Sequence, residues 1–167
     1  KFIVATNQND ILHRAISNGD YHVENVLETI SPSMDIQIAS NFERLIYDLN
    51  DQNDEKTIDV MKRIKEKGKY EINQENLDKI NVDFLSSRMD ENEVLNTIKT
   101  VYDKFGKVLD PHSAIGYGAF DKVNLRGNNI VLATAHPCKF PGAIEKAINV
   151  KSELPDKLEF VLDKKEN

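Results

Sequence analysis

Two apolar runs end in polar tips, and the tips hold many of the side chains able to do chemistry. Phe2-Ile3-Val4-Ala5 leads into Thr6-Asn7-Gln8-Asn9-Asp10, and Asn129-Ile130-Val131-Leu132-Ala133 leads into Thr134-Ala135-His136-Pro137. Continuous apolar runs of this length read as strands buried on both faces of a parallel sheet. In open α/β sheets, ligands bind outside the carboxyl ends of such strands. If both strands are parallel in one sheet, the two tips share an edge, and that edge is the candidate site. Ser31, Ser33 and Asn41 offer a second kind of chemistry. They stand at helix starts, where free backbone N–H groups and the helix dipole favour an anion; simple capping is the alternative reading.

Other chemistries find little support. There is no Gly-x-Ser-x-Gly elbow. Cys138 lies two residues from His136 without a third group to orient the pair. His13, His22, His112 and His136 lack metal-ligand spacing, and the single cysteine leaves no Cys pair. The seven glycines are dispersed, with none in a GxGxxG or Walker pattern. A net charge of −6 argues against nucleic acid as a partner. The basic cluster Lys62–Lys69 reads as a solvated helix face. One cysteine excludes an internal disulfide framework and fits a reducing, cytoplasmic setting. No apolar run of about 18 residues exists, so no membrane partner is expected. Lys1 to Thr6 reads as a strand and not as a signal peptide. A domain rarely opens on an interior strand, so a fragment is expected.

These groups need elements to position them. Asn9 is expected to cap a helix carrying Ile11, Leu12, Ala15 and Ile16, which Gly19 stops. His22 to Ile30 reads as a second strand. Ser31-Pro32 is expected to open a helix, and Ser40 with Glu43 fits a capping box ahead of Phe42, Leu45, Ile46 and Leu49. Residues 50 to 106 are strongly polar and read as all helical, in segments 54–67, 73–80 and 92–105, with Gly106 closing the last. Asp110-Pro111 opens another helix, Pro141 begins a short one, and Leu158 to Leu162 reads as an edge strand. The expectation is an α/β chain: a three-layer, open, mostly parallel sheet with flanking helices. Residues 1–49 and 107–167 would form the core, and residues 50–106 a helical insertion.

Four segments together resemble the threonine synthase family. They are FIVATNQNDIL (2–12), SPSMDIQIASNFERL (31–45), LDPHSAIG (109–116) and LATAHPCKFP (132–141), in family order. Ser113 stands where the family usually has Thr, and Cys138 where it usually has Ala. The resemblance implies part of a fold type II enzyme that uses pyridoxal 5'-phosphate (PLP). Its activity would convert O-phospho-L-homoserine and water to L-threonine and phosphate. It also implies a C-terminal position in the enzyme. In the family, the Schiff-base lysine and the loop that cradles the cofactor phosphate precede the first segment. No lysine here matches that motif, so no catalytic residue is assigned, and the missing N-terminal part is the implied partner.

The resemblance further implies that Thr134 meets the pyridine nitrogen of the cofactor, with strand capping as the alternative. His136 would orient or donate to the same site, or serve structure alone. Asn7, Asn9 and Asp10 would line the opposite tip, or cap the helix. Ser31, Ser33, Asn41 and Arg44 are candidates for the substrate phosphate, with an Arg44–Asp48 pair as the alternative and Asp35 as a partner of Arg44 or a backbone anchor. His112 and Ser113 would contribute on the substrate side. A phospholyase giving 2-oxobutyrate and a non-catalytic fragment are the alternative functions.

Overall fold

The computed structural model describes residues 1–123, 126–161 and 163–165. Its centre is a parallel pair of strands. Strand β1 (Phe2–Thr6) lies beside β4 (Phe84–Arg88), with Val4 opposite Ser86 and Ala5 opposite Ser87. Side chains alternate across a strand, so β1 faces two ways. Val4 packs into a core built on Ile11, Ile46, Ile64 and Ile80, whereas Ala5 packs into a second core built on Met89, Ile98, Ile115 and Ile144. Helix α1 (Ile11–Asn18) contacts both strands, as does α6 (Pro111–Val123). Helix, sheet and helix form three layers, and the α/β class with an open sheet holds.

A second, antiparallel pair joins β2 (Asp20–His22) to β3 (Lys69–Glu71). The first core also takes in α2 (Phe42–Leu49), α3 (Asp54–Lys67) and α4 (Gln74–Asp83). The second holds α6 and α7 (Pro141–Ile148) against α5 (Glu91–Phe105). Local chemistry sets several bounds. Asp90 and Glu93 form a reciprocal capping box at the start of α5. Gly19 ends α1 at φ +82°, where a Cβ would sit 2.7 Å from the Ile72 carbonyl oxygen, so both conformation and space require glycine.

Several elements differ from expectation. Residues 50–106 are not all helical: they supply β3 and also β4, the partner of β1. The 129–133 run is not a strand. Ile130 is 90% and Leu132 76% exposed, and no strand among the described residues pairs with them. An apolar run becomes a strand only when a neighbour satisfies its backbone. The strand expected over 22–30 is limited to Asp20–His22. The Ser31-Pro32 start yields a three-residue 3₁₀ turn (Pro32–Met34) in place of a longer helix. Asp10, not Asn9, precedes α1, and Asn41, not Ser40, precedes α2, neither with a side-chain cap bond. Residues 156–161 form a 3₁₀ turn in place of an edge strand; the remainder of that expected strand, Leu162, lies outside the described residues.

Candidate functional site

Two buried polar knots lie on either side of the Pro32–Met34 turn. The first forms at the end of β1. Asn7 is 2% exposed, and its Nδ2 lies 2.7 Å from Asp35 Oδ1, 2.9 Å from Thr29 Oγ1 and 3.0 Å from Ser31 Oγ. An amide nitrogen has two hydrogens, and the charged acceptor Asp35 is the strongest claimant for one of them. Asn7 Oδ1 accepts from the Asn9 backbone N–H at 2.8 Å. Asn9 then grips the backbone of Leu27 from both sides: its Oδ1 accepts from the Leu27 N–H and its Nδ2 donates to the Leu27 carbonyl, each at 2.8 Å.

Asp35 gathers the rest. Its Oδ2 accepts from the Thr29 N–H at 2.8 Å, and its Oδ1 from the Thr29 hydroxyl at 2.6 Å and from Asn9 Nδ2 at 3.0 Å. The Ile30 N–H donates to Glu91 Oε1 at 3.0 Å. These side chains explain why residues 23–30 are irregular. Their backbone groups are satisfied by Asn9, Asp35 and Glu91 instead of by a ladder.

The second knot centres on Asp110, which is 1% exposed and precedes α6. Its Oδ1 accepts from the His112 N–H at 2.9 Å and the Ser113 N–H at 3.4 Å, an N-cap arrangement. His112 Nδ1 lies 3.0 Å from the same oxygen, and the Ser33 N–H donates to His112 Nε2 at 3.2 Å. Nε2 therefore carries the lone pair and Nδ1 the hydrogen. Asp110 Oδ2 accepts from the Ser113 hydroxyl and, at 3.3 Å, from the Ala135 N–H. Ser113 Oγ in turn accepts from the Thr134 N–H at 3.0 Å and lies 3.3 Å from Thr134 Oγ1.

The β1 tip and the 134–135 tip are thus joined without a second strand. Asn7 holds Ser31, the turn presents Ser33, Ser33 meets His112, and Asp110 links His112 to Ser113 and Thr134. Beside this chain lies a largely apolar cleft of about 650 Å³ between β1, α6 and residues 128–134. Thr134, His112, Met34, Ile3, Gly116 and Phe120 are among its lining residues. An apolar cavity with a few convergent polar groups is the usual form of a small-molecule site.

Not every candidate joins this arrangement. Both oxygens of Asp10 are ion-paired, Oδ1 with Arg14 at 2.9 Å and Oδ2 with Arg88 at 3.1 Å. Burial alone would lower the Arg14 pKa, but hydrogen bonds to Asp10 and Asp20 more than offset it and raise the pKa. Asn41 and Arg44 are exposed at the start of α2 and line a separate cleft against α3 with Tyr47 and Asp48. Of the two parts expected of Asp35, it is a backbone anchor for Thr29 and not a partner of Arg44, since Asn7, Asn9 and Thr29 occupy its oxygens. His136 caps the Pro137–Lys139 turn, its Nδ1 accepting from the Cys138 N–H at 3.2 Å. Sequence reasoning missed Asp110 as more than a cap. It also missed Thr29, whose hydroxyl two residues before Ser31 was the available signal.

A parallel strand pair covered by helices on both faces, with polar groups knotted at the strand's carboxyl end, defines an open-sheet α/β domain. Residues 113–167 match the family model described as threonine synthase, C-terminal. A threonine synthase from Pseudomonas aeruginosa is 38% identical over 99% of this chain and 36% of its own length. The structure of a PLP-bound threonine synthase from Brucella melitensis superposes with a TM-score of 0.91 at 40% identity, over 98% of this chain and 36% of that one. The yeast threonine synthase structure gives 0.89 at 33% identity, over 99% and 38%. The chain is similar to threonine synthases along nearly its whole length and spans a little over a third of theirs. Its fold is part of the fold type II architecture of PLP enzymes.

Proposed function

We propose that this chain is the C-terminal part of a threonine synthase that converts O-phospho-L-homoserine and water to L-threonine and phosphate with PLP. The observation that carries the reading is the Asp110–Ser113–Thr134 chain, which brings a hydroxyl to an apolar cleft at the 134–135 tip. PLP, when bound, supplies the electron sink for the reaction. The residues present fit it. Among the described residues Thr134 Oγ1 bonds only to another hydroxyl, at 3.3 Å, so its hydrogen is available to a ring nitrogen. Thr134 would hold that nitrogen, and His136, whose Nε2 is not used by the turn it caps, would serve at the same rim.

The substrate needs groups for a phosphate. Ser33 is exposed on the turn tied to His112 and would meet the phosphate there; Asn41 and Arg44, exposed in the separate cleft against α3, would offer a second position, where a guanidinium suits a phosphate geometrically. Asn7, Asn9 and Ser31 face inward and would support the substrate side by holding the turn that carries Ser33. Asp10, tied to Arg14 and Arg88, would support the β1 tip through these ion pairs and not by contact with substrate. His112 and Ser113 would fix the turn and the Thr134 tip against each other. In the reaction the carbon–oxygen bond to phosphate breaks and water supplies the new hydroxyl. The lysine that carries the cofactor would come from outside these residues, so the chain alone would not turn over. The reading carries a cytoplasmic setting with it, which the single cysteine suits; no helix among the described residues is long and apolar enough to cross a membrane. The test is Thr134→Ala in the complete enzyme. We expect turnover to fall at least tenfold, about the loss of one hydrogen bond to a charged or strongly polar partner, with little change in melting temperature. Unchanged kinetics would remove Thr134 from the site.

A further inference from the structure

We infer that Asp110 is a positioning residue, acting through Ser113 to set the orientation of the Thr134 hydroxyl and through His112 to set the Ser33 turn. The inference rests on the reading that Thr134 meets the cofactor. The carboxylate does more than cap α6. A cap needs one oxygen, and Oδ1 supplies it to the N–H groups of His112 and Ser113. Oδ2 is left over, and it points across to the other tip, where it accepts from the Ser113 hydroxyl and the Ala135 N–H. A cap alone would be served by serine or threonine, whose single oxygen has nothing to spare for that tip.

Counting hydrogens shows what the second oxygen does. A carboxylate can only accept, so the Ser113 hydroxyl hydrogen goes to Asp110. The Thr134 N–H takes one lone pair of Ser113 Oγ at 3.0 Å. Any bond between the two hydroxyls therefore uses the hydrogen of Thr134, at 3.3 Å. That bond is long and easily exchanged for a better acceptor. The pair thus has one hydrogen free to turn towards the cleft, and it is always that of Thr134. Without the carboxylate the Ser113 hydrogen is released, the two hydroxyls can point either way, and the Ala135 N–H loses its acceptor. The same carboxylate holds the Nδ1 hydrogen of His112, which keeps Nε2 open to the Ser33 N–H. One buried group therefore registers the cofactor-side tip against the substrate-side turn.

The test is a double-mutant cycle in the complete enzyme, read as PLP dissociation constant in titrations of the apoenzyme, with melting temperature and the His112 ring ¹⁵N shifts recorded beside it. Asp110→Asn and Ser113→Ala are each expected to weaken PLP binding on the order of tenfold, as for one hydrogen bond to a charged group. The double variant should be no weaker than the worse single, since both break one chain. Ser113→Thr keeps the hydroxyl and should retain wild-type affinity. Asp110→Asn should also shift the His112 ¹⁵N signals away from the Nδ1–H pattern. Ser113→Ala leaves the cap oxygen in place, so the test survives if Asp110→Asn does not fold. Losses that multiply in the double variant would overturn the inference, as would wild-type affinity in Ser113→Ala alongside a loss in Thr134→Ala. Wild-type affinity in Thr134→Ala itself would overturn both this inference and the reading it rests on.

Discussion

Asn7→Asp is a one-atom change that should turn a buried clasp into a pH-dependent fault. Asn7 Nδ2 sits 2.7 Å from Asp35 Oδ1, so aspartate there places two carboxylate oxygens in contact. At an effective dielectric constant of about 20, two like charges at that distance repel by about 6 kcal/mol. The pair escapes by binding one proton. Proton uptake costs about 1.4 kcal/mol for each pH unit above the ordinary carboxyl range, hence about 5 kcal/mol near pH 8 and 1–2 kcal/mol near pH 5. The sign follows from proton counting: the folded variant holds a proton that the unfolded chain has released, so stability falls as pH rises. Water reaching the half-buried Asp35 trims the upper figure to about 4 kcal/mol. Asn7→Ala removes the same donor without adding charge and should cost about 2–3 kcal/mol at both pH values. Urea unfolding of the three proteins near pH 5 and pH 8 reads the difference. A deficit for Asn7→Asp that is equal at both pH values, or smaller than that of Asn7→Ala near pH 8, would refute the clasp.

Two further outcomes follow from single side chains. Burial lowers the His13 pKa, with the charge of Asp10 opposing it, while Nδ1 stays 2.9 Å from Ser86 Oγ. The unfolded chain therefore gains His13's proton first as pH falls, and stability drops below the unfolded histidine value; His13→Gln should flatten the acid side of the melting-temperature profile, and an unchanged slope would count against it. Ser87 Oγ is buried without a hydrogen-bond partner among the described residues, so Ser87→Ala should be neutral or stabilise by up to about 1 kcal/mol, and a loss above that would reveal a partner.

The sequence shows the helices better than the strands, for reasons visible in particular residues. Asp54 to Lys67 is bounded by its own chemistry, an Asn53 cap and Gly68 at φ +67°, and both signals are local. Strand β4 is Phe-Leu-Ser-Ser-Arg in a polar stretch, and only its pairing with β1, eighty residues away in sequence, makes it a strand. The 129–133 run fails in the opposite sense: its composition is that of a buried strand, but a ladder needs a neighbour, and composition cannot supply one. At the site, the motifs around Asn7, Ser31, His112 and Thr134 were legible as a set. Asp35 is legible as a backbone anchor, the part it plays for Thr29, but the Asp110 junction is not, because a helix cap and a buried junction look alike in sequence. The resemblance groups Arg44 with Ser31 as candidates for the substrate phosphate, and the fold places Arg44 in a different cleft.

The central claim is tested most directly by giving the complete enzyme PLP and O-phosphohomoserine and quantifying the carbon product beside released phosphate. Threonine equal in amount to phosphate is the predicted result. Phosphate accompanied by 2-oxobutyrate, or no phosphate at all, would contradict it.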